Sequence, residues 1–462
     1  VLQLPLVSAL GCAVQIDGGG RSPDELAAIV RAWGDAEVSS ADGIPAAHLR
    51  VAVSDAALGR ELSELSQKVT LAAIEARRGH LWMLHAGGLA DDEGNVVAIV
   101  GPSGRGKTTA TRALAAHYGY VTDETVAIAP DGTVLPYRKP LSIIEDAASA
   151  KAQRSASELA LGPLPDVPLR LSAIVLLDRV PGGPERPVLE PCDLADALPE
   201  LVEQTSYLAD LPAPLRQVAA HVTAVGGVHR VIYSEAETLA SALAPLFRTP
   251  APVGDADAAP VAEIAEEERG QRSERGWRRG LYLDAIELSA PGDPRERIAL
   301  LQPEVTGGAT LRVLDGIGPT LWRAADGRSA GGLIDAAVAV HGRPPTVDPE
   351  AVVSAALDAL RADGVLAREH SWRARRDVAW TTSDDGFVVL PLSRGGSPEP
   401  VALEGTAAIV WAVLTTARGA APEALVDAIA ARSGADASEI DGDVRAFLHE
   451  LAERDLAESY LP

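Results

Sequence analysis

The sequence predicts an α+β multidomain protein, and three observations carry that prediction. Val96-Val97-Ala98-Ile99-Val100 is an apolar, β-branched run that passes straight into Gly101-Pro102-Ser103-Gly104-Arg105-Gly106-Lys107-Thr108-Thr109, after which Lys107 to Ala116 reads as a helix. This G-x-x-x-x-G-K-T between strand and helix is the pattern of a phosphate-binding loop. Thr249 to Pro260, followed by Glu263, Glu266, Glu267 and Glu268, is rich in Pro, Ala and acid with little to bury, the composition of a linker. Beyond it, Leu314-Asp-Gly-Ile-Gly-Pro-Thr-Leu-Trp322 is matched by Leu403-Glu-Gly-Thr-Ala-Ala-Ile-Val-Trp411, with Leu, Gly and Trp in the same places. At 462 residues the chain is too long for one typical core. The expected division is a phosphate-loop domain at 1–248, with 1–60 as an N-terminal extension, a linker at 249–280, and two small winged-helix-like domains at 281–368 and 377–460.

Composition narrows the function classes. Hydrophobic residues are 47% of the chain and aromatics 4%, so the cores must be built from Ala, Val, Leu and Ile. A formal charge of −24 argues against nonspecific binding to nucleic acid, whose phosphates most of this surface would repel. Cys12 and Cys192 are the only cysteines, which excludes a disulfide framework and suits a reducing compartment; both are expected as small buried apolar residues. No run approaches the length of a membrane span, and Val1 to Val7 lacks the basic flank of a secretory signal, so the expected location is the cytoplasm.

The elements around the loop follow in chain order. His80-Leu-Trp-Met-Leu-His85-Ala-Gly-Gly-Leu89 is strand-like and Asp91-Asp-Glu-Gly-Asn95 is a turn, so a β-hairpin leads into the loop. His85 lies on its first strand, as a structural hydrogen-bonder or as a group beside the phosphates, depending on register. In the loop, Gly101, Gly104 and Gly106 permit backbone conformations that expose N–H groups to phosphate oxygens, Lys107 supplies a point charge, and Thr108 offers a hydroxyl to Mg²⁺. After the helix, Tyr120 to Ile128 reads as a strand interrupted by Asp123 and Glu124. Adjacent carboxylates are costly to bury in an apolar run, so they face either a polar site or solvent. In a phosphotransferase one such acid can accept a hydroxyl proton while the other holds Mg²⁺. Ile174 to Arg179 is an apolar strand ending in Asp178 and Arg179; Asp178 is either a metal ligand or half of a structural pair with Arg179. Glu203 to Tyr207 is a candidate border of an acceptor site.

The repeats read as short strands and then three helices with apolar residues at three- and four-residue spacing. Leu333-Ile-Asp-Ala aligns with Leu425-Val-Asp-Ala after a short insertion, and Val352 to Leu360 with Val444 to Leu451. Trp322 and Trp411, at a repeated position on an amphipathic helix, are expected in the cores.

On His85-Ala-Gly-Gly, Gly101-Pro-Ser-Gly-Arg-Gly-Lys-Thr108 and Thr122-Asp123-Glu124-Thr-Val, in that order within residues 60–245, the chain resembles the HPr serine kinase/phosphorylase superfamily, in particular the HPr-kinase-related proteins found near peptide-maturation genes. The resemblance implies ATP as phosphoryl donor and Mg²⁺ as cofactor. It places the base for an acceptor serine on Asp123, the loop roles on Lys107 and Thr108, and a position by the phosphates on His85. Asp123-Glu124 stands where HPr kinases carry two aspartates, and the family's later Arg-Gly signature is missing. Pro136-Tyr-Arg138-Lys139-Pro140-Leu-Ser142 is the alternative source of a cation. Phosphorolysis is left open. The two repeats resemble PqqD-like domains, over 281–368 and 377–460, through Leu-x-Gly followed by Trp and a closing helix before Asp-Gly-Val or Asp-Leu-Ala. Members of that family bind a leader peptide as an added strand beside a helix. The resemblance thus implies a precursor peptide, and other peptide-maturation enzymes, as partners; HPr kinases themselves assemble, so an oligomer is compatible.

The resulting expectation is an ATP- and Mg²⁺-dependent kinase acting on a Ser or Thr hydroxyl of a ribosomally made peptide. Its expected residues are Asp123, Lys107 and His85 in catalysis, Gly101 to Thr109 on the phosphates, and Thr108, Glu124 and Asp178 on the metal. A nucleotide-gated adaptor and a small-molecule hydroxyl kinase are the alternatives.

Overall fold

The computed structural model describes residues 4–38, 48–53, 58–102, 106–143, 152–248, 276–288, 296–304, 308–367, 371–392, 399–416 and 419–460. Residues 249–275 of the expected linker and Ser103, Gly104 and Arg105 of the loop lie outside the described residues; the last five residues of the expected linker, 276–280, are described and hold a strand at Trp277–Arg279. The chain divides into two compact units, Val1–Ala258 and Ala259–Pro462.

The first unit opens with a hairpin, β1 (Leu6–Ala9) and β2 (Cys12–Asp17). Leu10 and Gly11 both have positive φ (52° and 72°), as the two-residue turn that matches strand twist requires. Helix α1 (Pro23–Trp33) starts in a capping box between Ser22 and Glu25. Strand β3 (His48–Ala52) then runs parallel to β2, and α2 (Leu58–Ala76) follows. Trp33, Val7, Leu65 and Val69 from these elements share one core with Met83, Ala127 and Tyr137, so residues 4–36 pack directly against the part of the chain that carries the acids.

The strands that hold the loop come next: β4 (Trp82–Leu84), β5 (Ala86–Ala90), β6 (Asn95–Val100), α3 (Lys107–Leu114), β7 (Gly119–Thr122), β8 (Val126–Ile128) and β9 (Val134–Leu135). After β10 (Leu141–Ile143) and β11 (Ala152–Arg154) come β12 (Arg170–Arg179), β13 (Val188–Cys192), α4 (Leu194–Glu203), β14 (Thr205–Ser206), α5 (Pro214–Ala224), β15 (Val228–Tyr233) and α6 (Leu239–Leu243). A six-stranded sheet has the order β13-β15-β12-β6-β5-β7, and a four-stranded sheet the order β14-β4-β8-β9. In the larger sheet β15, β12, β6 and β7 run one way, while β5 and β13 run the other. Strand β6 is buried along its whole length, as a central strand covered on both faces must be. Ala110 and Leu114 of α3 pack with Leu239 and Leu243 of α6 on one of those faces.

Four expectations are corrected here. The Tyr120 to Ile128 strand is two strands in different sheets, because the chain turns at Asp123 to Thr125. The strand through His85 is likewise divided, with β4 and β5 in different sheets. The loop helix ends at Leu114 rather than Ala116. Cys12 is buried as expected, but Cys192 is half-buried and its thiol donates to the Asp193 carbonyl at 3.7 Å.

The second unit contains the same element order twice, apart from a short strand between the first two helices of the first copy. The first copy has β16 (Trp277–Arg279), β17 (Asp284–Glu287), β18 (Ile298–Pro303), β19 (Ala309–Leu314), α7 (Gly318–Ala324), β20 (Asp326–Arg328), α8 (Ala330–His341), α9 (Pro349–Ala362) and β21 (Leu366–Ala367). The second has β22 (Ser371–Ala374), β23 (Val378–Ser383), β24 (Gly386–Pro391), β25 (Val401–Glu404), α10 (Thr406–Thr416), α11 (Pro422–Ser433), α12 (Ala437–Glu453) and β26 (Ala457–Tyr460). Each is an antiparallel three-stranded sheet followed by three helices and a returning strand. Trp322 and Trp411 are 1% and 0% exposed at the centres of the two cores, as the repeat pattern predicts. A cleft of about 640 Å³ lies between the copies, walled by Arg312 of β19, Asp358 and Arg361 of α9, and Glu423 and Asp427 of α11.

Candidate functional site

The register of the β5–β6 hairpin decides where His85 goes. Ala86 pairs with Val100, so His85 and Gly101 leave the sheet at the same end. Two glycines follow His85 for a steric reason. A Cβ on Gly87 would meet Thr111 Oγ1 of α3 at 2.1 Å, and one on Gly88 would meet Val126 and Val121 side chains at 3.1 and 3.2 Å. Only glycine at position 87 lets α3 sit this close, which brings the first turn of that helix beside His85.

Lys107, at that first turn, is buried. Its ammonium donates to the carbonyls of His85 and Gly101, each at 3.2 Å. Burial pulls its pKa down to about 8, against the opposing pull of Glu124 and Asp123. Gly106 caps the helix with φ +88°, a left-handed conformation that favours glycine. Pro102 and Thr108 are half-buried and Thr109 is exposed.

The two acids stand on the turn between β7 and β8. Thr122 Oγ1 accepts the backbone N–H of Glu124 (3.1 Å) and of Thr125 (3.4 Å), which fixes the turn. Asp123 is nearly buried, and its Oδ1 accepts the Tyr120 hydroxyl at 2.9 Å. Lys139 places its ammonium 3.2 Å from the same Oδ1 and 3.3 Å from Glu124 Oε2. Burial pulls the Lys139 pKa down, but the attraction of Asp123 and Glu124 outweighs it and the ammonium is held above the ordinary lysine range. His85 Nδ1 lies 3.7 Å from Glu124 Oε1. Burial, then the Lys107 charge, lower the His85 pKa against the pull of Glu124. A continuous chain of contacts therefore links Lys107, His85, Glu124, Lys139 and Asp123.

Three consecutive residues tie this cluster to the N-terminal layer. The Tyr137 hydroxyl is 2.7 Å from Thr70 Oγ1 of α2, Arg138 Nη2 is 4.0 Å from Asp35 Oδ1, and Lys139 reaches the acids. Of the basic run read in the sequence, Lys139 and not Arg138 is the cation at the acid pair. On the other side, the His85 N–H donates to the Gln204 carbonyl at 2.7 Å, and Thr205 accepts the Trp82 indole N–H at 3.0 Å, so the segment Glu203 to Tyr207 does border His85.

Asp178 is brought to the same sheet edge by a different route. The parallel pairing of Leu176 with Val100 puts it level with Pro102, half-buried at the end of β12. Arg179 does not pair with it; the Arg179 Nε donates to the Ser234 carbonyl at 3.1 Å. Among the described residues no group of three or more His, Cys, Asp or Glu is spaced to hold a metal ion. Tyr120 is the participant that sequence reading missed. In the sequence it opens the strand that Asp123 and Glu124 interrupt, and its signal is the three-residue step to Asp123.

Comparison with known proteins adds one assignment. The family model of coenzyme PQQ synthesis protein D (PqqD) matches residues 386–457. Those residues are a PqqD domain. In this structure the PqqD domain runs from the start of β24 through the three helices to the start of β26, with Trp411 at its centre. Trp380, on the preceding β23, meets Phe387 of the PqqD domain edge to face at 5.7 Å and is half exposed. No curated protein matches the chain. Among solved structures, the Hpr(Ser) kinase/phosphatase from Coxiella burnetii is similar over 36% of this chain and 92% of that one, at 13% identity and a TM-score of 0.19, too low to carry an argument. Among the described residues no helix is long and apolar enough to cross a membrane.

Proposed function

We propose that the chain is an ATP-dependent kinase that phosphorylates a Ser or Thr hydroxyl of a ribosomally made precursor peptide, whose leader segment is held by the PqqD domain and by the related first repeat. The observation that carries this reading is the contact chain from Lys107 through His85 to Glu124, Lys139 and Asp123, which joins a phosphate-loop lysine to a paired acid.

The loop residues fit a polyphosphate. Lys107 is a buried cation whose partners among the described residues are backbone carbonyls, and burial holds its pKa down to about 8. A multiply charged phosphate would complete it, together with the free N–H groups of the first turn of α3. Thr108, with Glu124 or Asp178, would hold Mg²⁺, which neutralises charge on phosphate oxygens.

In the transfer, the acceptor oxygen forms a bond to the γ-phosphorus as the bond from that phosphorus to the β–γ bridging oxygen breaks, and ADP leaves. Asp123 takes the hydroxyl proton. Its Oδ1 already receives Tyr120 and Lys139, which orients the carboxylate and leaves Oδ2 for the acceptor. Lys107 and the α3 N–H groups stabilise the transferring oxygens. His85, with its pKa lowered, stands by the phosphates as a neutral imidazole at neutral pH. Tethering by the C-terminal modules raises the local concentration of a weakly held peptide. Incubation with γ-labelled ATP and a Ser/Thr-containing precursor peptide whose leader binds the C-terminal modules tests the reading: label should pass to the peptide, and Asp123→Asn should abolish transfer while ATP still binds. Intact nucleotide binding with no transfer would sink it.

One observation favours a second reading. Asp123 sits in a buried ion pair, which a nucleotide-gated peptide adaptor could use for structure alone. In that case Asp123→Asn would leave biological activity in place.

A further inference from the structure

Tyr233 closes β15, in parallel register with Arg179 of β12, and so stands at the same sheet edge as Asp178 and the loop. Its side chain is 1% exposed, and its hydroxyl is buried without a hydrogen-bond partner among the described residues. The other buried tyrosines around the site are satisfied: Tyr120 by Asp123 and Tyr137 by Thr70. A buried hydroxyl left unpaired costs about 1–3 kcal/mol, so a phenylalanine would be the more stable choice here unless an acceptor arrives. The direction of the hydroxyl names that acceptor. A Cβ built on Gly106 would lie 3.7 Å from Tyr233 Oη and 3.7 Å from Arg179 Cδ. The phenol therefore points at the corner where the loop becomes α3, beside the N–H groups of an eight-residue helix and the Lys107 backbone.

We propose that the Tyr233 hydroxyl is a further phosphate-binding donor, which hydrogen-bonds an oxygen of a polyphosphate chain seated at the N-terminus of α3. The inference rests on the nucleotide reading above and extends it to a residue outside the loop motif. A donor placed on the strand beside the loop fixes the rotation of the phosphate chain about the helix axis, which backbone N–H groups alone leave loose. Arg179, anchored on the Ser234 carbonyl, walls the same corner.

Tyr233→Phe removes the hydroxyl and nothing else. Calorimetric titration of the full chain with ATP and with inorganic tripolyphosphate, and thermal unfolding without ligand, test the proposal. Both ligands should bind about tenfold more weakly to the variant, the size of one hydrogen bond to a charged acceptor. The ligand-free variant should unfold at the same or a higher temperature. Wild-type affinity for both ligands overturns the proposal and leaves the nucleotide reading standing. A loss confined to ATP also overturns it, since the hydroxyl would then read base or sugar. A lower ligand-free unfolding temperature shows a structural role and overturns it as well. If the unmodified protein binds neither ligand, the nucleotide reading falls and this inference with it.

Discussion

Lys107 and Lys139 are both buried, and their surroundings move them in opposite directions. Lys107 has carbonyl partners and a pKa near 8, so it is charged below that pH and loses its charge above it. ATP affinity should therefore fall as pH rises through about 8, and a titration series from neutral to alkaline pH would read this as uptake of one proton on binding. Lys139 neutralises two carboxylates. Lys139→Met leaves Asp123 and Glu124 facing each other, and denaturant unfolding at neutral pH should show a loss of about 3 kcal/mol. His221 gives a pH dependence away from the site. It stacks on Trp82 with ring centroids 5.5 Å apart, and burial, opposed by Asp131, lowers its pKa from 6.5 to about 4. Between those values the unfolded chain binds the proton and the folded one does not, so stability is complete above about 6.5 and declines as pH falls towards 4. The integrated loss is about 3 kcal/mol, and His221→Phe should flatten that slope in the unfolding curve. The sequence named the run holding Arg138 and Lys139 but could not choose between them. Neighbouring side chains take opposite partners, here Asp35 and the acid pair, and that depends on the N-terminal layer.

At the level of elements, the strand–loop–helix and its leading hairpin were legible because their signals are local: β-branched residues, a turn and three glycines. The sheet changes at His85 and at Asp123 to Thr125 were not, since apolar strand-like residues flank each break on both sides while the hydrogen-bonding partner changes. The three-helix repeats were legible from spacing, and both tryptophans are core as expected. Gly87 shows how an element sets the site. Gly87→Ala pushes a methyl into Thr111 Oγ1 and should cost about 2 kcal/mol by overpacking. Thr111→Ala in the same chain should recover part of that loss, and a double-mutant cycle by chemical denaturation would measure the coupling. The same displacement of α3 should weaken ATP binding, because Lys107 travels with the helix.

The whole molecule consists of two units with separate cores. Residues 276–460 expressed alone should unfold cooperatively and retain leader-peptide affinity, which calorimetry with and without the first unit would compare. What the sequence could not convey at this scale is how residues 4–36 join the site, because contacts such as Asp35 with Arg138 and Trp33 with Met83 span parts of the chain with no shared pattern. Tyr137, Arg138 and Lys139 make that junction two-way. Binding free energies are reciprocal: a ligand that shifts the acid pair and draws on Lys139 must alter the grip on Thr70 and Asp35. On the proposed kinase reading, anything that clasps the N-terminal layer and shifts those contacts would, by the same factor, change the affinity of the acids for their acceptor. The far layer of the first unit would then be a handle on the proposed chemistry, and slowed amide exchange in α2 upon ligand binding would be its signature.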